Sequence, residues 1–230
     1  TGELRALVSA QGGMMPEFGL KAGAGLLNCH WIPSFRANSG EPYSPDRHGA
    51  FWKAKLLYHL AGDFPCAPNF GPACSVDGVE LPPHGWTANE AWRLERAGVS
   101  EEEGAAYALF SLELSEPGMP LSFQKADMVF AGQGAYYSVM RVRNLGPRAL
   151  AINVGRHNCL GAPFLQAGSR IYASAERYAI PPRGGEFDDT GRLEMGAEFR
   201  GLGAAPLRGG GTADLGLVPG PIGFTDLVAG

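Results

Sequence analysis

Glycine and proline interrupt this chain so often that a long helix has almost nowhere to form. The 34 glycines and 18 prolines make up about 23% of its 230 residues, against roughly 12% in an average protein. Hydrophobic residues at 45% and aromatic residues at 10% nevertheless set it apart from disordered and collagen-like chains. What remains is a turn-rich globular protein long enough to bury a real core. Helical spacing is confined to Gly49 through Leu60, ended by Gly62, and predicts one short helix or turn.

From Gly104 onward the pattern becomes short β-rich runs divided by turn residues, which predicts an antiparallel all-β fold. Tyr107 to Ser115 reads as a strand with Leu109, Ser111, Glu113 and Ser115 on one face and Phe110, Leu112 and Leu114 on the other. A second strand, Leu121 to Phe130, follows Glu116-Pro117-Gly118. Ala135 to Arg143 then opposes Tyr137, Val139 and Arg141 to Tyr136, Met140 and Val142, turns at Asn144-Leu145-Gly146-Pro147, and is expected to return as Arg148 to Val154. The N-terminal part predicts strands over Leu4 to Ser9, one ending near Leu20, and Ala24 to Trp31, with a turn at Gly12-Gly13. Ile32 to His48 and Pro65 to Pro83 read as long irregular stretches, the kind of loop on which binding residues sit. Pro181 to Gly223, with Phe187, Leu193, Phe199 and Leu202, reads as an ordered wrapping segment, so residues 1–230 are expected to form a single domain.

The net charge of −4 and the lack of a long basic cluster argue against a nucleic-acid partner. No apolar run approaches the roughly 18 to 20 residues that span a bilayer, and Thr1-Gly2-Glu3-Leu4-Arg5 lacks the regions of a signal peptide. The expectation is a soluble cytoplasmic protein with no membrane partner. Cys29, Cys66, Cys74 and Cys159 follow no metal-binding spacing and read as free thiols in a reducing compartment.

Two of the five histidines stand out. His84 lies in Pro82-Pro83-His84-Gly85-Trp86, where prolines fix the backbone before it and glycine permits a close approach after it. His157 lies in Gly155-Arg156-His157-Asn158-Cys159 and should project from a strand end. His30, His48 and His59 read as structural or exposed. No H-x-H or H-x-x-x-H spacing supports a metal, so no metal or other cofactor is expected.

Gln11-Gly12-Gly13-Met14-Met15-Pro16, Gly62-Asp63-Phe64-Pro65-Cys66-Ala67-Pro68-Asn69-Phe70-Gly71, Pro83-His84-Gly85-Trp86 with Trp92, Asn144-x-Gly146, Gly155-Arg156-His157 and Thr225-Asp226 occur in that order. Together they resemble the aldose 1-epimerase (galactose mutarotase-like) superfamily, in its divergent branch near the hexose-6-phosphate mutarotases. The resemblance implies a β-supersandwich of antiparallel sheets with a sugar or sugar phosphate on a concave face. It implies His157 as the general acid that protonates the ring oxygen, His84 positioning the sugar or its developing charge, and Asp226 bonding sugar hydroxyls. Asp63, Asn69, Trp86 and Trp92 would complete the substrate site. The chemistry suits these types: ring opening delivers a proton to the ring oxygen while the C1 hydroxyl loses one, and imidazole donates near neutral pH. An indole offers a flat face to sugar C–H groups.

Two departures weigh on catalysis. Ala61 stands where the family has arginine. The family's catalytic glutamate lies beyond the Thr-Asp motif, and this chain ends four residues after Asp226. The expected sandwich therefore lacks its C-terminal strands, leaving edges for a second copy, a separate polypeptide or a rearranged sheet to cover. Anomer interconversion is the leading expectation. Non-catalytic carbohydrate binding or regulation on the same scaffold is the alternative, and a cupin-type metal enzyme ranks last.

Overall fold

The computed structural model describes residues 4–37, 40–114, 116, 118–182, 191–220 and 226–230. The chain divides into two compact units, Thr1–Phe164 and Leu165–Gly230.

In the first unit, β1 (Leu4–Leu7), β2 (Glu17–Ala22) and β3 (Gly25–Asn28) form an antiparallel meander. Two short helices follow, α1 (Pro45–His48) and α2 (Lys55–His59). The helical spacing of Gly49 to Leu60 is realised only in its second half. Trp52 donates its indole N–H to the Phe35 carbonyl at 2.8 Å, and Ala54 is extended (φ −140°, ψ 147°), so the helix begins at Lys55. It buries Leu56 and Tyr58.

The stretch from Pro65 to Pro83 is more ordered than its prolines predict. It opens in β4 (Phe64–Cys66), then forms a hairpin of β5 (Cys74–Val76) and β6 (Val79–Leu81), before α3 (Gly85–Asn89). The hairpin turns at Asp77–Gly78, both with positive φ (50° and 77°), as a two-residue type I′ turn requires and an Asp-Gly pair favours.

The largest sheet contains β7 (Arg93–Ser100), β8 (Ala105–Leu114), β9 (Leu121–Phe130) and β10 (Tyr136–Asn144), in the order β10-β9-β8-β7. Alternation sorts the faces of β8 as the sequence predicts, with Phe110 and Leu112 inward and Leu109 and Glu113 outward; on the neighbouring strands Leu121 and Phe123 also point inward, while Gln124 and Arg141 face out. Ser115, Pro117, Phe187 and Thr225 lie outside the described residues.

The return strand expected over Arg148 to Val154 does not form, and β10 is an edge. Asn144 accounts for this: its side-chain oxygen accepts the Gly146 N–H (2.9 Å) and its amide donates to the Arg148 carbonyl (2.6 Å). The turn is present, but it sends the chain away from the sheet. Asn153 then donates its N–H to the Pro68 carbonyl (2.7 Å), which delivers β11 (Gly155–His157) to β4.

Phe110, Leu112, Leu121 and Phe123 meet Val79, Leu81, Trp92 and Met119 in one core cluster. Full burial of such a side chain contributes about 1.5–3 kcal/mol. A second cluster of Met14, Leu56, Leu60, Phe64, Cys66 and Ala88 holds α2 and α3 against β4.

The second unit contains two small antiparallel pairs, β12 (Arg177–Ala179) with β13 (Glu198–Arg200), and β14 (Ala205–Pro206) with β15 (Thr212–Ala213). Its core is Ile180, Leu193 and Ala205, flanked by Phe199 and Leu207. Every strand pairing is antiparallel, and the described residues form an all-β protein without a closed barrel. No helix among them is long and apolar enough to cross a membrane.

Candidate functional site: a paired imidazole cluster

The antiparallel pairing of β11 with β4 sets His157 opposite Phe64. The imidazole stacks on that phenyl ring, with centroids 4.7 Å apart and planes 8° from parallel. The loop between β4 and α3 brings His84 to the same place: the two imidazoles meet edge to face at 4.9 Å and 90°. Residues 73 positions apart in sequence are thereby joined.

His84 reaches this position through an unusual backbone. Its φ is +59°, in the left-handed region that L residues seldom occupy away from functional sites and turns. Gly85 follows at φ +72°, and a Cβ there would lie 2.2 Å from the Ala67 carbonyl oxygen. The sequence expectation of a close approach after His84 is met at that contact. His84 donates its backbone N–H to the Gly71 carbonyl (2.9 Å), and its Nδ1 accepts the Gly71 N–H (3.4 Å). Nδ1 is thus an acceptor, which puts the proton of the neutral ring on Nε2.

Phe70 closes the cluster. It lies edge-on to His84 (5.4 Å, 89°) and stacked on His157 (6.0 Å, 23°), and it is 42% exposed, so one aromatic face of the site meets solvent. Two thiols complete the surroundings, with Cys66 Sγ 3.7 Å from His84 Nδ1 and Cys159 Sγ 3.2 Å from His157 Nδ1. All four cysteines are free.

Burial dominates the electrostatics. It pushes His84 down to about 4, with neighbouring His157 adding to the effect. It also pushes His157 down, opposed by the negative charge of Asp63. The same burial, together with Asp63, raises Cys66 to about 12 and Cys159 to about 11. At neutral pH the site therefore presents two neutral imidazoles and two neutral thiols, a set that donates and accepts hydrogen bonds without carrying charge.

The other predicted residues are distributed differently. Asp63 is buried, and both its oxygens accept the Arg156 Nε–H at 2.8 Å. Asn69 is half-buried and donates to the Pro72 carbonyl (2.8 Å). Trp86 is half-buried and packs on the main core. Trp92 is 3% exposed, with its indole N–H donated to the Thr87 carbonyl (2.8 Å), so its ring presents no face to solvent. Asp226 belongs to the second unit, where its carboxylate accepts from the Arg192 backbone N–H, Nε and Nη2 (2.7, 2.9 and 2.6 Å). Ala61 is buried at 1% exposure.

Phe64 and Phe70 are the neighbours that sequence reasoning did not single out, although both lie in the Gly62–Gly71 motif. Among the described residues, no group of three or more His, Cys, Asp or Glu is placed to hold a metal ion. A concavity of about 890 Å³ on the open face of the large sheet, beside Arg93, Glu95, Ser111, Gln124 and Arg141, contains neither histidine. No family model, curated protein or solved structure matches the chain.

Proposed function

We propose that the His84–His157 cluster binds a carbohydrate and interconverts its α and β anomers, on a β-supersandwich of the galactose mutarotase-like kind. The observation that carries this reading is the edge-to-face contact of two neutral imidazoles at 4.9 Å beside a half-exposed phenyl ring. Ring opening needs one group that accepts the C1 hydroxyl proton and one that protonates the ring oxygen. His84 holds its proton on Nε2, with Nδ1 already accepting the Gly71 N–H, so it donates to a sugar oxygen or its developing charge rather than taking the C1 proton; a protonated imidazole with a lowered pKa is a strong acid that is sparsely populated at neutral pH. Asp63 favours the protonated form of His157, which suits His157 to the acid role. Phe70 provides the apolar face for sugar C–H groups that the buried Trp92 does not.

A second reading, carbohydrate binding without turnover, draws on two observations. Ala61 is buried where the family places an arginine, and the Asp63 carboxylate is engaged by Arg156. Anomer exchange measured by NMR over a panel of aldoses and sugar phosphates separates the two. Exchange faster than in buffer that disappears in His157→Ala supports the mutarotase. Equal exchange in that variant removes the acid assignment, and binding without faster exchange establishes the second reading. Because His157 must be protonated to act as the acid, exchange should rise as pH is lowered from 7.

A further inference from the structure

Gly155 has no left-handed φ to explain it, unlike Gly62, Gly71 and Gly85, so conformational freedom is not what a glycine supplies there. What it supplies is room. Alternation along β11 puts Gly155 on the same face as His157, two residues away, with Cys66 opposite the one and Phe64 opposite the other. A Cβ on Gly155 would lie 2.4 Å from Phe70 Cδ2, 3.0 Å from Cε2 and 3.3 Å from Cγ. Phe70 therefore fills the volume that a side chain at 155 would take, beside the imidazole.

The backbone that carries the ring is anchored to the segment that carries the slot. Asn153, two residues before Gly155, donates its N–H to the carbonyl of Pro68, two residues before Phe70 (2.7 Å). Gly71 accepts the His84 N–H (2.9 Å) and donates its own to His84 Nδ1 (3.4 Å). Asn69 donates its side-chain amide to the Pro72 carbonyl (2.8 Å). With residues 68, 69 and 71 held, a methyl group added at 155 is accommodated by rotation of the phenyl ring, whose 42% exposure leaves solvent as the place for it to go. Seated, the same ring reaches both imidazoles, near-parallel to His157 at 6.0 Å and edge-on to His84 at 5.4 Å.

We infer that Gly155 is a positioning residue: the empty place of its side chain seats the Phe70 ring against His157 and His84, and so sets the aromatic wall on which the C–H face of a sugar is held. The inference rests on reading the histidine pair as a carbohydrate site, and adds to it a determinant of affinity that acts through Phe70. Any side chain at 155, down to a methyl group, turns Phe70 off the imidazoles, and the site then loses the half-exposed ring that the buried Trp92 does not replace.

The test is a cycle of Gly155→Ala, Phe70→Ala and their double variant in the full chain, read first without sugar from the imidazole NMR resonances at about pH 8, where both rings are neutral. Gly155→Ala should move the His84 and His157 resonances in the same direction as Phe70→Ala, since both take away the phenyl ring current. Adding Gly155→Ala to Phe70→Ala should move them no further, whereas a general loosening of the site would act in that background too. Titration with glucose, galactose or mannose, read on the same resonances, should show half-saturation about three- to tenfold higher in either single variant, the loss of one aromatic contact, and no higher in the double. Resonances at their parent positions in folded Gly155→Ala, shifts that add in the double variant, or unchanged half-saturation where the resonances have moved would each overturn the inference. If Gly155→Ala alone does not fold, Gly155→Ala/Phe70→Ala decides, because removing the ring empties the slot: folding of the double variant supports the seat, and its failure overturns it. A parent chain that binds no aldose refutes the carbohydrate reading, while the sugar-free resonances still decide whether Gly155 seats Phe70.

Discussion

Replacing Lys125 with methionine removes the cation facing Asp127 and leaves a carboxylate that is 4% exposed. Breaking a buried ion pair from one side costs about 3–5 kcal/mol, because the remaining charge stays desolvated. Asp127 keeps two hydroxyl donors, which places the expected loss near the lower end, about 3 kcal/mol. A cavity contributes little: the lysine nitrogen sits 4.9 Å from the Phe110 ring and 6.0 Å from that of Trp92, surroundings a thioether fills well. Adding Asp127→Asn removes the orphaned charge while keeping an amide oxygen for the Tyr136 and Ser138 hydroxyls. The double variant should therefore return to within about 1 kcal/mol of the parent, a coupling of roughly 2 kcal/mol or more. Urea unfolding followed by tryptophan fluorescence measures this, since Trp31, Trp52, Trp86 and Trp92 all lie in the first unit, with the ion pair. A Lys125→Met loss below about 1 kcal/mol, or single losses that simply add, would refute the reasoning.

Gly85→Ala should destabilise the protein by more than Gly78→Ala in the same assay. Both glycines have positive φ, which costs a side chain about 1–2 kcal/mol, but the new Cβ at position 85 also meets a carbonyl oxygen, whereas at 78 nothing lies within 4 Å. Equal losses would mean that the approach of Gly85 to Ala67 is unimportant. Folding stability should drop as pH falls from about 6.5, where an unfolded histidine starts to bind a proton, to about 4, where His84 binds one in the fold. Over that window His84 contributes up to about 3 kcal/mol of the loss. His84→Asn, which tolerates the left-handed backbone, should flatten the acid limb, and an unaltered slope would contradict the assignment. Cys66 and Cys159 should alkylate far more slowly at pH 8 than in urea, since only the thiolate reacts and burial raises both. Rapid labelling of either in the folded chain would show that the cluster is open.

Much of the large sheet could be read from alternation, because one buried and one open face leave a period-two record. Leu121 to Phe130 matches β9 to the residue, and the alternation of Tyr107 to Ser115 puts Phe110 and Leu112 on the face of β8 that is buried. The same rule carries Lys125 and Asp127 inward with Leu121 and Phe123, but polarity hides that until the partner strands are known. The β5–β6 hairpin was signalled by Asp77-Gly78 and obscured by the prolines around it. The missing return strand is the opposite case: Asn144-Leu145-Gly146-Pro147 does turn the chain, but the Asn144 side-chain bonds and the Asn153–Pro68 contact decide where it goes. His84 and His157 were recognisable singly, from Pro-Pro-His-Gly and from a strand end. Their contact, and the choice of Phe70 over Trp92 as the exposed ring, depend on tertiary packing. The division into two compact units left no composition break that separates them.

The most direct test of the histidine cluster as a carbohydrate site is to follow all five imidazoles by NMR while simple aldoses and their phosphates are added to the full chain. The account predicts that His84 and His157 shift together and saturably, with His48 and His59 unaffected. Binding that leaves both His84 and His157 unmoved would contradict it and direct attention to the concave face beside Arg93 and Arg141.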